Sequence, residues 1–210
     1  MSLDTYENLK TAIQTYTGRN DISAILDDAI DITESYMYAN PIEPLRIRNV
    51  ETRSTALLTT TSRFLALPTD FVEFRRLKIT FTDDPDLDLF FRTPNQLIVK
   101  EGTGIPRNFT VTSQLEFDVL PDDTYTLEYQ YMARFTGLSS SNTTNNILTR
   151  FPQIYLHGCL WHIYGQYEGE LEMGQNHHNE MINAIAGANR DDRSGRYGPA
   201  PVMRIKKAVP

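Results

Sequence analysis

The chain has 210 residues, 40% hydrophobic and 22% charged, a composition that supports one core or a core with a smaller satellite and excludes a disordered chain. A net charge of −7 argues against a general nucleic-acid binder, and a single cysteine, Cys159, excludes an internal disulfide and a multi-cysteine zinc site. No apolar run approaches the roughly 18 residues that a membrane span needs, and the opening Met1 to Glu7 reads as no secretion signal. The charge is uneven. Residues 193–210 hold five of the 20 basic residues and none of the 27 acidic ones, which leaves −12 on residues 1–192.

Leu3, Tyr6, Leu9, Ile13 and Tyr16 recur at steps of three and four and predict a first helix, with Asp4 and Glu7 as a capping box and Gly18 as its stop. A second helix is expected from Asn20 or Asp21 to about Tyr38. Its apolar stripe is Ile22, Ile25, Leu26, Ala29, Ile32 and Tyr36, and Asp27, Asp28, Asp31 and Glu34 make the opposite side acidic. Pro41 and Pro44 end it. From about Leu45 to Met132 the period changes to two. Phe71–Phe81 and Tyr125–Tyr131 alternate as strands, Phe109–Thr112 and Leu115–Val119 make a hairpin, and Thr93–Val99 holds one helical turn.

Helices return after the polar loop 139–146. Thr149–Tyr167 is apolar nearly all the way round and should be buried, and an amphipathic helix follows from about Glu170 to Asn189. Residues 191–210, rich in Pro, Gly and basic residues, read as an extended tail. The expected fold is α+β. Four main helices, in two N-terminal and two C-terminal antiparallel pairs, form a bundle from residues 1–44 and 139–190, with a small antiparallel β module at 45–138 inserted between them.

Chemistry-bearing clusters are few. His157 and Cys159 point about 200° apart on a helix, so they cannot share a ligand or a proton. His177 and His178 diverge by about 100°, and with Glu168, Glu170, Glu172 and Glu180 they read as a solvated helix face. Asp84, Asp86 and Asp88 imitate a calcium loop, but Leu89 and Asn95 stand where its turn glycine and distal glutamate belong. Catalytic, cofactor and metal residues are therefore expected to be none.

One ordered set of residues does carry a signal: Leu67-Pro-Thr-Asp-Phe71, then Arg75-Arg-Leu-Lys78, then Tyr125-Thr-Leu-Glu-Tyr-Gln-Tyr131. Leu138-Ser, Asn145, Leu148-Thr-Arg-Phe-Pro152 and Tyr155-Leu-His-Gly158 complete it, with Tyr6, Leu9, Ile13, Asp21 and Glu34 in the first two helices. The set resembles the head-to-tail adaptor (connector) proteins of tailed double-stranded DNA bacteriophages. His157 and Cys159 replace a tyrosine and an alanine of that pattern, and its usual tryptophan near the loop asparagine is missing. The resemblance implies a non-enzymatic virion protein of the neck, assembled in the host cytoplasm, forming a dodecameric ring of neighbouring adaptor subunits under the portal protein. The ring would extend the DNA channel, let genomic DNA pass without sequence-specific binding, and offer a platform to a tail nozzle or tail tube protein.

On that reading the basic tail docks on the portal through Arg193, Arg196, Tyr197, Val202, Arg204, Ile205, Lys206 and Lys207, and the acidic side of the second helix (Asp27, Asp28, Asp31, Glu34) faces the channel. No membrane partner is expected. The alternatives are another phage part, a head-completion or tail-tube protein, or an unrecognised enzyme or nucleic-acid-binding module.

Overall fold

The computed structural model describes residues 3–197. The chain divides into two units, one made of the residues up to Arg48 together with those from Thr136 onward, the other of Asn49–Phe135.

In the helical unit, α1 spans Tyr6–Thr17. Its cap is Thr5, whose hydroxyl accepts from the Asn8 N–H at 3.3 Å, in place of the Asp4–Glu7 box. Gly18 ends it at φ 67°, a left-handed position that costs glycine nothing. A 3₁₀ turn, Asp21–Ala24, precedes α2, Leu26–Ala39. Because that turn has about 3.0 residues per repeat, it shifts the phase of the pattern. Ile30, Thr33 and Met37 are buried with Leu26 and Ala29, while Ile32, expected inside, is 46% exposed.

The single helix expected at 149–167 is three pieces: α3 (Asn146–Arg150), α4 (Pro152–His162) and a π-helical turn (Ile163–Glu168). Asn145 caps α3 through the Leu148 N–H at 2.8 Å, and Pro152 begins the second piece because α4 cannot use its missing N–H. Five α-helices are thus described, not four, and α1, α2, α3 and α5 all touch α4. Two glycines allow that closeness. A Cβ on Gly158 would lie 2.3 Å from Thr33 Cγ2, and one on Gly174 would lie 2.6 Å from the Gly165 Cα.

The last helix, α5, runs Leu171–Tyr197, so residues 191–197 of the expected extended tail are helical. Polar anchors hold this end. The Asn189 side chain accepts from the Arg46 N–H and donates to the Pro44 carbonyl, and buried Asp192 pairs with Arg48 at 2.8 Å.

The β unit has two four-stranded sheets. The strands in chain order are β1 Glu51–Leu58, β2 Phe64–Ala66, β3 Phe71–Thr80, β4 Leu87–Asp88, β5 Phe90–Phe91, β6 Asn108–Val111, β7 Gln114–Phe117 and β8 Tyr125–Ala133. One sheet runs β1-β8-β3-β4 and is antiparallel throughout; the other runs β2-β7-β6-β5. Its β5–β6 pair is parallel, against the expected all-antiparallel module, because the long connection 92–107 gives the chain room to return and run in the same direction. The core joins Leu77, Ile79, Phe109, Phe117, Leu127 and the inward tyrosines of β8.

Candidate functional site

The four acidic residues assigned to one face of α2 have different fates. Asp28 and Asp31 are exposed. Asp27 takes the Lys10 ammonium at 2.8 Å and the Tyr6 hydroxyl, and these contacts, Lys10 first, hold its carboxyl below the usual range. Glu34 lies two turns beyond Asp27 on the same side of α2, but there other parts of the chain cover it. Its carboxyl group accepts from the Leu138 N–H and from the Tyr155 hydroxyl, both at 2.8 Å, and burial raises its pKa. Desolvation beneath these neighbours favours the protonated form.

Glu34 is the centre of a lock. Asn145 caps α3 with its oxygen and donates its amide to the Tyr155 hydroxyl at 2.6 Å. Gly137 lies so close that a Cβ there would sit 2.4 Å from Glu34 Oε2. The scattered residues Glu34, Leu138, Asn145, Tyr155 and Gly158 thus converge on one buried junction of α2, the 137–145 loop and α4. A second lock lies in the β unit. The Tyr131 hydroxyl donates to Asp70 at 2.9 Å, the Asp70 carbonyl accepts from the Arg134 N–H, and Phe71 stacks on Tyr131. Order along the chain exposed these residues; their meeting in space was not readable from spacing.

The histidines are also placed differently from expectation. His177 and His178 are half-buried in a seam between α2, α4 and α5, not solvated, since the rings on α5 meet aromatic partners there. His157 Nδ1 lies 3.0 Å from His177 Nδ1, so one ring donates and the other accepts, which needs the accepting ring neutral. His178 Nε2 meets the Tyr36 hydroxyl at 2.8 Å, and Trp161 lies against both His162 and His178. Burial lowers the pKa of all four imidazoles. Cys159 is fully buried beside Thr33, and desolvation pushes its thiol up to about 12, far from a ready nucleophile.

The acidic turn is spent on cross-strand pairs. Arg76 holds Asp88 with two bonds of 2.7 and 2.9 Å, and Lys78 reaches Asp86 at 2.7 Å. Among the described residues, no group of three or more His, Cys, Asp and Glu could hold a metal ion, and no helix is long and apolar enough to cross a membrane.

Of the C-terminal residues singled out by sequence, Arg193 is exposed on α5, and Arg196 and Tyr197 form its end. Val202, Arg204, Ile205, Lys206 and Lys207 lie outside the described residues.

The ordered residues singled out by sequence thus meet in two internal junctions, one in each unit. A family model described as SU10 adaptor protein matches residues 4–204, and the chain belongs to this family of phage head-to-tail adaptors, structural proteins of the virion. No curated protein matches it.

Proposed function

We propose that this adaptor is a non-enzymatic subunit of a ring seated beneath the portal, a dodecamer by the family resemblance, which extends the DNA channel and carries a tail nozzle or tail tube protein. The match over residues 4–204 is the observation that carries this reading. The charge distribution supports it. A wall along which phosphates slide must not grip them, and a basic lumen would release counterions and bind. Asp28 and Asp31, exposed on α2, suit such a wall, with Asp27 partly neutralised by Lys10; Glu34, covered by its neighbours, has no part in it.

Portal docking falls to the C-terminal segment, where Arg193 and Arg196 continue into Arg204, Lys206 and Lys207 with Tyr197, Val202 and Ile205 as apolar anchors. The helical state of residues 191–197 narrows the device to the residues beyond the Asp192–Arg48 anchor. Native mass measurement of portal mixed with the full chain tests the reading. A portal ring gaining one adaptor per portal subunit is the expected result, and an unchanged portal mass overturns it. Removal of residues 198–210 should abolish that gain while leaving helix content unchanged.

A further inference from the structure

Among the exposed apolar surfaces of the described residues, one on each unit stands out. On the helical unit, a groove of about 220 Å³ opens between α2 and the end of α4 with its π-helical turn, walled by Ile25, Ala29, Ile32, Ile163 and Tyr167. His162 lines it too. That ring is only 7% exposed, and Gln166, its polar neighbour, lines the groove beside it. Its rim is acidic: Asp28 lines the groove, and Asp31 is exposed on the same helix.

On the β unit, the segment from β5 to Arg107 forms a flap of opposite character. Phe90 is 62% exposed, Ile98 79% and Val99 47%, with Phe91 and Ile105 also open to solvent. Contiguous exposure of this kind marks an interaction surface. Leu97 is extended, and Leu97–Val99 belongs to no strand; the Leu97 and Lys100 N–H groups bond to the Thr93 and Asp118 carbonyls at either end. The cations Arg92 and Arg107 are exposed in the same segment, while Lys100 pairs with buried Asp118 at 3.1 Å.

We propose that the Leu97–Lys100 flap of one copy seats Ile98 and Val99 in the α2–α4 groove of the next copy. This rests on the ring reading and names the contact that builds it. Charge complementarity points to a second copy: among the described residues, Arg92 and Arg107 belong to the segment that carries the apolar flap, and Asp28 and Asp31 to the helix that walls the apolar groove. Two unlike surfaces on one molecule make a heterologous contact, the kind that propagates from copy to copy and closes into a ring.

Full-length protein carrying a photo-crosslinking residue at Tyr167 tests this, as an equal mixture of ¹⁴N- and ¹⁵N-labelled chains, free across a concentration series and bound to portal. Sedimentation reports self-association, and mass spectrometry locates the adduct. The expected adduct joins position 167 to residues 97–100 across unlike isotope labels. Asp28→Lys with Asp31→Lys should weaken self-association about tenfold, and adding Arg92→Glu with Arg107→Glu should restore it. Self-association with the adduct in residues 198–210, or elsewhere in the neighbour, overturns the flap contact alone. Unrescued charge reversal in protein of native helix content does the same. Adducts only between like labels, with no assembly either free or on portal, overturn the ring reading and the contact with it.

Discussion

The junctions of the helical unit and the strand pairs of the β1-β8-β3-β4 sheet use polar residues in opposite ways. The helical unit buries its decisive polar groups: Glu34, Asn145 and Tyr155 form one junction, and Asp192 and Asn189 fix the end of α5. The β unit keeps its charged pairs, Arg76–Asp88 and Lys78–Asp86, largely on the surface of a sheet whose other face is apolar. A buried polar group deprived of its partner leaves an unsatisfied atom in a low dielectric, whereas an exposed ion pair trades one hydrated state for another. Polar substitutions at the helical junctions should therefore cost more than substitutions at the surface pairs of this sheet, whose stability rests on its apolar face.

The sharpest break in the comparison is Phe109→Ala. It removes a fully buried ring between the two sheets and should cost about 3–5 kcal/mol by urea unfolding, with amide protection lost first in β3 and β8. Next is Glu34→Ala, which strands the Tyr155 hydroxyl and the Leu138 N–H and should cost about 2–3 kcal/mol. Glu34→Gln keeps an acceptor without a buried charge. Because burial raises the Glu34 pKa, ionisation is harder in the folded state, and the wild type should lose stability relative to the glutamine variant as pH rises through that raised value. A gap that grew as pH fell would contradict the burial argument.

Acidification supplies a third contrast. All four histidines lie in the helical unit, each with its pKa lowered by burial. The unfolded chain binds protons more readily there, so stability is present above the ordinary histidine value of about 6.5 and is lost as pH falls through it. Hydrogen exchange at pH 7.5 and 5.5 should show α4 and α5 loosening while β8, with no histidine in its unit, keeps its protection once intrinsic exchange rates are corrected. The smallest effect belongs to Arg76→Ala with Asp88→Ala, which should leave the urea midpoint unmoved.

The same contrast explains what was legible. Tyr125, Leu127, Tyr129 and Tyr131 alternate because one side of β8 faces an apolar core, and Gly18 marks the end of α1 because its left-handed backbone favours glycine. Apolar period and turn chemistry are local, so sequence displays them. The end of α5 was missed for the complementary reason: Asn189 and Asp192 anchor it through partners more than 140 positions away, and no apolar period announces them. Ile32 was misplaced because the buried stripe of α2 runs through Leu26, Ile30, Thr33 and Met37, and Glu34 because Leu138 and Tyr155, more than 100 positions away, cover it. The histidine seam was invisible because it joins α2, α4 and α5, and the locks appeared only as residues in a recurring order.

Glu51 at the start of β1 stands opposite Met132 near the end of β8. Paired residues on adjacent antiparallel strands are about 5 Å apart, so the chain leaves the β unit next to where it came in. The unit is in effect a cassette on a closed hinge of two neighbouring strands. Strands and loops between these points can be lengthened, shortened or exchanged without changing the spacing that the flanking helical segments must span. A short turn grafted from Glu51 to Met132 would therefore give the helical unit without it.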